Sequence, residues 1–348
     1  MVTLAQVAVL AQVSTTTVSR VLSDDPGLSV PELTRQRVED AAHTLDYQPR
    51  ARRGPAHAHR GGRGRSVLHT AAVVYSFSPE EETRDPYYSA IRLGLEREAH
   101  QQGIILHTVP FQRGTGLRLP DEPHLIAVGR VAIDATVASM SAKQVLITVD
   151  DEPAGGGVDS VTVDLAAATR TVLDHLLTRG HRRIGFIGGA ADGLVDARQA
   201  EFERYMSAHG LLDASCVLIG QWSPESPQSG YDLMAQAIER DLRCSAYFIA
   251  SDPLAAAAMK ALADRGIGVP ADVAIIGFDD NPVSAWLHPA LTTVAVPSAQ
   301  MGRSAIDLLR QRQEGRKVPL KIIVPTTLII RDSSGPKDPP NTPAGGRR

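Results

Sequence analysis

Thr15, Thr16, Thr17, Ser19 and Arg20 place four hydroxyls and a guanidinium within six consecutive positions. Such groups reach phosphate oxygens and base edges without filling a major groove. A second set is dispersed: Asp150, Arg198, Trp222, Ser251, Asp252, Asp279 and Asp280 each stand just beyond an apolar run or at a helix start. Carboxylates and a guanidinium can take the paired hydroxyls of a sugar, and an indole can cover its C–H face. Plainer roles are open to the same residues. Asp252 and Asp280 could cap the next helix, Arg198 could form a surface ion pair, and Trp222 could be core. Catalytic patterns are missing: there is no G-x-S-x-G elbow, no H-E-x-x-H helix and no carboxylate pair placed for acid–base work. Gly185-Phe186-Ile187-Gly188-Gly189 lacks both dinucleotide-loop spacing and a phosphate-loop lysine. Cys216 and Cys244, the two cysteines, have no metal-ligand spacing and fit a reduced compartment. The expectation is a binding protein, not an enzyme, with no cofactor and no metal.

The hydroxyl cluster needs a helix to present it. In TLAQVAVLAQVSTTTVSRVL, residues 3–22, Leu4, Val7, Ala8 and Ala11 make one apolar stripe and Val18, Val21 and Leu22 another. Thr3 and Ser14 are the expected N-caps. Two short helices around a tight turn, with small polar groups outward, read as helix-turn-helix, although helix pairs of this kind also occur in other all-α domains. Ser29-Val30-Pro31-Glu32 has the form of a third helix start, and that helix runs through Val38, Ala41, Ala42 and Leu45 to stop before Pro49. Residues 1–48 form a small headpiece. From 49 to 66 six arginines (Arg50, Arg52, Arg53, Arg60, Arg63, Arg65) occur without an acid, although the whole chain carries a net charge of −3. This stretch is a flexible tether, a phosphate-contacting arm, or both.

Beyond it, β-rich apolar runs alternate with amphipathic helical stretches. Strands are expected at 71–75, 104–109, 125–128, 145–149, 184–187, 246–249, 273–276 and 291–296. Helices are expected at 87–102, 166–179, 195–209, 231–240, 253–265 and 299–312. Alternation of this kind builds parallel sheets covered on both faces, and the length suits two such sheets. The fold class is therefore an all-α helix-turn-helix headpiece plus an α/β core of two doubly wound parallel-sheet subdomains, with the core at 67–332. Residues 320–331 should return to cap that core, and the Pro- and Gly-rich 333–348 reads as a disordered tail. MVTLAQVAVLAQVS has neither a basic leader nor a spanning apolar run, so a cytoplasmic, nucleoid-associated location is expected, with no membrane contact. A solute-binding protein would share the core but would need a leader and has no use for a headpiece.

The opening stretch resembles the lactose/galactose repressor family, whose pattern runs TL-x-x-VA-x-x-AGVS-x-x-TVSRVL. It matches at Thr3, Leu4, Val7, Ala8, Ala11, Val13, Ser14 and Thr17–Leu22, with Gln12 in place of Gly. A left-handed turn residue that is not Gly costs about 1 kcal/mol. The resemblance extends over residues 2–332. Within the family, Ser76–Ile104 and Val161–Gly189 are most similar to the repressors of the evolved β-galactosidase system. The resemblance implies a homodimeric or tetrameric repressor of carbohydrate (galactoside) utilisation. It would bind double-stranded operator DNA and be released by a small galactoside-like sugar; an activator or co-repressor-dependent regulator is the alternative. DNA contacts fall to Thr3, Ser14, Thr15, Thr16, Thr17, Ser19, Arg20, Arg50, Arg52 and Arg53. The resemblance places Asp150, Arg198, Trp222, Ser251 and Asp279 on the effector, Asp252 in support, and Asp85 and Tyr87 as the first subdomain's share. Family members also carry a hinge helix with a Leu wedge. Here that stretch reads PRARRGPAHAHRGGRGR, without Leu, so arginines entering a narrow minor groove replace the wedge. Dimer contacts are expected around Ile91 and Leu95 and from Leu254 to Leu262.

Overall fold

The computed structural model describes residues 4–22, 32–45, 69–84, 86–109, 122–129, 144–153, 157–190, 195–221 and 226–335. They belong to two compact units, 1–66 and 67–348.

In the first unit, α1 (Leu4–Ala11), α2 (Thr15–Leu22) and α3 (Glu32–Thr44) bury Val7, Ala8, Ala11, Val18, Val21, Val38, Ala41 and Ala42. These are the stripes expected from spacing, and all eight are Val or Ala. A core of such small side chains yields limited hydrophobic stabilisation. α1 ends in a two-bond Schellman turn: Val13 N–H donates to Ala8 O (3.1 Å) and Gln12 N–H to Val9 O (3.3 Å). Gln12 takes φ +54° there, which is the geometry for which glycine is favoured. Ser14 Oγ accepts from Thr17 N–H at 3.0 Å and caps α2.

The second unit holds two six-stranded sheets. The first lobe has the order β11-β5-β4-β3-β1-β2 and the second β12-β10-β9-β8-β6-β7. The strands are β1 (His69–Tyr75), β2 (Ile104–Val109), β3 (His124–Val128), β4 (Val145–Val149), β5 (Asp159–Val163), β6 (Ile184–Ala190), β7 (Val217–Gln221), β8 (Ala246–Ile249), β9 (Ala274–Asp279), β10 (Thr292–Ala295), β11 (Lys321–Val324) and β12 (Thr327–Ile329). Every pairing is parallel except β10 with β12. The helices are α4 (Pro79–Arg84), α5 (Pro86–Gln102), α6 (Leu165–Thr178), α7 (Ala197–Ala208), α8 (Ser226–Glu239), α9 (Asp252–Ala263) and α10 (Ser298–Gln313). The chain changes lobe between β5 and α6, between β10 and α10, and between β11 and β12.

Among the described residues, twelve strands replace the eight expected. β5 was hidden because it reads DSVTV, yet its Asp159 is fully buried. It accepts from Arg312 Nε (2.5 Å), Arg316 Nη1 (2.7 Å) and the Leu320 N–H (2.7 Å). Charge pairing therefore does there what apolar alternation does elsewhere. α4 was also missed; Ser78 and Glu81 make a reciprocal capping box at its start (2.8 and 3.2 Å).

One further expectation is corrected. The disordered tail was to begin at 333, but Ser333 and Ser334 are buried. Ser333 Oγ donates to Ile275 O (2.6 Å) and accepts from Thr292 N–H (2.8 Å), and Ser334 Oγ meets Thr292 Oγ1 (2.8 Å). These hydroxyls satisfy sheet groups that would otherwise be buried unpaired. Ile91 and Leu95, like Leu254, Ala255, Ala258, Met259, Ala261 and Leu262, are buried in the chain's own core, whereas Leu93 and Lys260 on the same helices are exposed. Ile91 and Leu95 sit where α5 meets α10 backbone to backbone. A Cβ on Gly94 would fall 2.1 Å from Ala299 O, and one on Gly302 2.2 Å from Ile91 O.

Candidate functional site

On the headpiece, Thr15 and Thr16 are exposed and Thr17, Ser19 and Arg20 half-buried, while Val18 and Val21 face the core. The amphipathic pattern thus turns the expected polar face outward. Ser14 and Thr17 hydrogen-bond each other through their hydroxyls at 2.9 Å, so the cap occupies part of what they could offer a ligand. Thr3, Arg50, Arg52 and Arg53 lie outside the described residues.

The core site forms where strands of both lobes end, the usual ligand position in open α/β sheets. In the first lobe, Asp150 follows β4 at φ +66°. Its carboxylate accepts from Tyr87 Oη at 2.7 Å and Tyr88 Oη at 3.2 Å. Burial pushes the Asp150 carboxyl up to about 6, against the opposing pull of Tyr87, Arg198 and Tyr88. Burial, together with the nearby Asp150 charge, raises the Tyr87 phenol well above its usual range. Aromatic residues are only 4% of the chain, yet several gather here. Tyr88 packs on Phe77 (ring centroids 4.3 Å) and edge-on to Tyr87 (5.1 Å), and Phe77 lies 5.3 Å from Tyr75.

In the second lobe, Arg198 lies in the first turn of α7. Asp196 caps that helix through Arg198 N–H (2.8 Å) and also binds the guanidinium, with Nε at 2.9 Å and Nη2 at 2.8 Å. Arg198 Nη1 donates to Ala250 O at 2.5 Å, and the guanidinium stands 5.0 Å from the Phe278 ring centre. Burial disfavours its charge, but Asp196 outweighs burial, with Asp279 and Asp150 adding to the effect, and the pKa rises. Arg198 is therefore a fixed, buried cation and not a surface ion pair.

Asp279 and Asp280 close β9 with φ +107° and +54°. Such backbone costs a non-glycine residue about 1–3 kcal/mol and persists only where its surroundings over-determine it. Asp252 supplies much of that constraint. Its buried carboxylate accepts from Thr293 Oγ1 (2.6 Å), Ser284 Oγ (2.7 Å) and Asn281 N–H (2.7 Å). Burial raises its carboxyl to about 6 even so. Arg331 grips Asp280 Oδ1 at 2.7 Å and Leu291 O at 2.8 Å.

The structure thus brings Tyr87, Asp150, Arg198 and Asp279 into one electrostatic neighbourhood. Asp252 sits behind it as a brace for the loop after β9. Ser251 is buried and caps α9, accepting from Leu254 N–H at 3.5 Å. Asp85 and Trp222 lie outside the described residues. Tyr88, Asp196 and Arg331 were missed by sequence reasoning. The tandem tyrosines and the Asp-x-Arg at a helix start were visible signals for the first two; Arg331 left none. A cavity of about 330 Å³ opens beside Tyr87 and Asp279, between Ala90, Asn281, Gln300 and Arg303. Among the described residues no group of three or more His, Cys, Asp and Glu could hold a metal ion, and no helix is long and apolar enough to cross a membrane.

A helix-turn-helix unit followed by a two-lobed core with a polar cleft at its strand ends defines a ligand-responsive DNA-binding regulator. The chain matches the family described as bacterial regulatory proteins, lacI family, over residues 3–50, and a periplasmic binding protein-like domain over 173–334. It is 36% identical to the HTH-type transcriptional repressor MelR of Bacillus subtilis, over 96% of this chain and 98% of that one. With the HTH-type transcriptional regulator GalR of Lacticaseibacillus casei it shares 32% identity, over 96% and 100%. A solved complex of the regulator CelR with cellobiose superposes with TM-score 0.66 at 27% identity, over 96% and 100%. The lac repressor dimer bound to operator and an anti-inducer shares the fold, with TM-score 0.64 at 24% identity, over 96% and 99%. The chain belongs to the LacI family: it is a DNA-binding transcriptional regulator with a periplasmic-binding-protein-like core, and not an enzyme.

Proposed function

We propose that this regulator is a cytoplasmic homodimeric repressor of galactoside utilisation that leaves its operator when a galactoside binds the core cleft. The observation that carries the reading is the ring of Asp150, Tyr87, Arg198 and Asp279 at the strand ends of both lobes. It combines hydroxyl-binding carboxylates, a buried guanidinium and an aromatic cluster, the chemistry a sugar requires. A ligand held by both lobes favours one relative arrangement of them, and differential affinity for two arrangements is what allosteric release needs.

On the DNA side, Thr15, Thr16 and Arg20 read base edges and nearby phosphates, with Thr3, Ser14, Thr17 and Ser19 in support. Arg50, Arg52 and Arg53 add salt-dependent affinity. Two copies reading two half-sites require a two-fold interface. The turn Pro282–Trp286 suits one because its patterning is inside out. Ser284 is buried, while Val283 is 50% and Trp286 86% exposed. Apolar groups on a braced turn are what an isologous contact would cover.

The test is a thermal-shift panel of galactosides, glucosides and free sugars, followed by operator titration with the best ligand. A galactoside should raise the melting temperature by mass action and weaken operator binding. A ligand that strengthens operator binding would make the protein co-repressor-dependent. Asp279→Ala should lose the sugar response and keep operator affinity; a normal response would place the pocket elsewhere.

A further inference from the structure

Asp150 is the carboxylate expected to accept a sugar hydroxyl, yet each of its oxygens already receives a phenol. Tyr87 holds Oδ1 at 2.7 Å and Tyr88 holds Oδ2 at 3.2 Å. Consecutive residues on a helix point about 100° apart, so two side chains in register 87–88 seldom share one target. They do so here because the first turn of α5 stands over the end of β4. Both rings are held in place. Tyr88 packs against Phe77 with the rings tilted by 30°, and Tyr87 Oη also lies 3.7 Å from Met301 Sδ on α10. Gly129, at the end of β3 with φ +76°, lies close against the pair: a Cβ there would fall 2.2 Å from Ser76 Oγ and 3.4 Å from the Tyr88 ring.

We infer that Tyr88 is a positioning residue for effector recognition: with Tyr87 it clamps Asp150 in one orientation and in its ionised, hydroxyl-accepting form, so that the pair sets the acid limit of the sugar response. The inference rests on the core cleft being the effector site.

Asp150 is faced by Tyr87 and Tyr88 from α5, by Arg198 from α7, and by Asp151 from its own strand end; Asp279 on β9 reaches Tyr87 and Arg198. Both phenols and Arg198 favour the carboxylate; burial and Asp151 oppose it. An ionised carboxylate has about four lone-pair sites. Two phenols leave it able to accept from a ligand hydroxyl, whereas a protonated one would be turned partly into a donor. The clamp therefore selects ligands that donate: a neutral polyol fits, and a carboxylate-bearing sugar is repelled. Removing one phenol leaves Asp150 buried with less support, and its ionisation must move to higher pH.

The experiment is calorimetric titration of the full chain with lactose and with methyl β-galactoside from pH 5 to 8. The same protein labelled with ¹³C at Asp carboxyls is titrated without ligand. Wild type should lose affinity as pH falls through about 6. Tyr88→Phe keeps the ring and its packing. Its affinity should stay within about threefold of wild type at pH 8, while its acid midpoint and the Asp150 resonance both move upward. Asp150→Asn should bind at least about tenfold more weakly, with no acid midpoint. If Tyr88→Phe lowers affinity equally at every pH and the Asp150 resonance does not move, the clamp is wrong and Tyr88 is packing alone. If neither sugar binds wild type while the resonance still shifts in Tyr88→Phe, the galactoside reading fails and the clamp stands.

Discussion

The two lobes furnish the core cleft in opposite ways. The second lobe supplies charge that is committed in advance: Arg198 is locked to Asp196 and to Ala250 O, and the strained Asp279–Asp280 corner is held from behind by Asp252 and Arg331. The first lobe supplies aromatic surface and a carboxyl whose ionisation lies near neutral pH. One side is built to be fixed and the other to respond to its surroundings. The fixed side takes positive φ at two adjacent residues, Asp279 and Asp280, and the responsive side at one, Asp150.

Substitutions can break this contrast or sharpen it. The largest effect should come from Asp252→Ala, which leaves two hydroxyls and the Asn281 amide without their buried acceptor. We expect a loss of about 3 kcal/mol or more, read by chemical denaturation; a loss below about 1 kcal/mol would mean the corner needs no brace. Next, Arg198→Ala should weaken galactoside binding at least about a hundredfold with operator affinity intact, since a buried charge-assisted donor is removed. A comparable loss from Phe77→Leu in the first lobe would erase the contrast.

A pH series probes one buried carboxyl in each lobe. The Asp150 and Asp252 carboxyls both have folded-state values raised to about 6. The native state therefore binds more protons than the unfolded chain between about pH 4 and 6, and these two groups add stability as pH falls through 6. Sugar affinity should fall over the same range. Opposite slopes of melting temperature and affinity are expected; Asp150→Asn should flatten the affinity slope and reduce the melting-temperature slope to the share of Asp252. The smallest effect belongs to the headpiece. Gln12→Gly relieves a left-handed φ and should raise its stability by about 1 kcal/mol. No gain would mean the Gln12 side chain compensates through contacts of its own. Arg20→Ala in the same unit should cost at least about tenfold in operator binding without altering sugar affinity.

Much of this was legible in the residue order. The headpiece stripes, the parallel alternation and the placing of Asp150, Arg198 and Asp279 at strand or helix ends follow from local rules that the fold obeys. Local rules failed where a distant partner decides. β5 is a strand because two arginines more than 150 positions away neutralise Asp159. Ser251, expected on the effector, also caps the helix behind it. Asp252, expected in support of the site or as a cap, is the centre of a network with Thr293 and Ser284 that no local pattern specifies. Ile91 and Leu95 themselves are buried by α10, since apolar periodicity marks a buried face without saying what buries it.

The bare contact of Gly94 with Ala299 and of Gly302 with Ile91 joins α5 to α10 without a cushion of side chains between them. α5 carries both tyrosines of the cleft, and α10 is the element by which the chain re-enters the first lobe from β10. A displacement of that crossover is therefore delivered to the tyrosine hydroxyls almost undamped. A single methyl at either glycine would act like a shim in a gear, shifting the site without touching it.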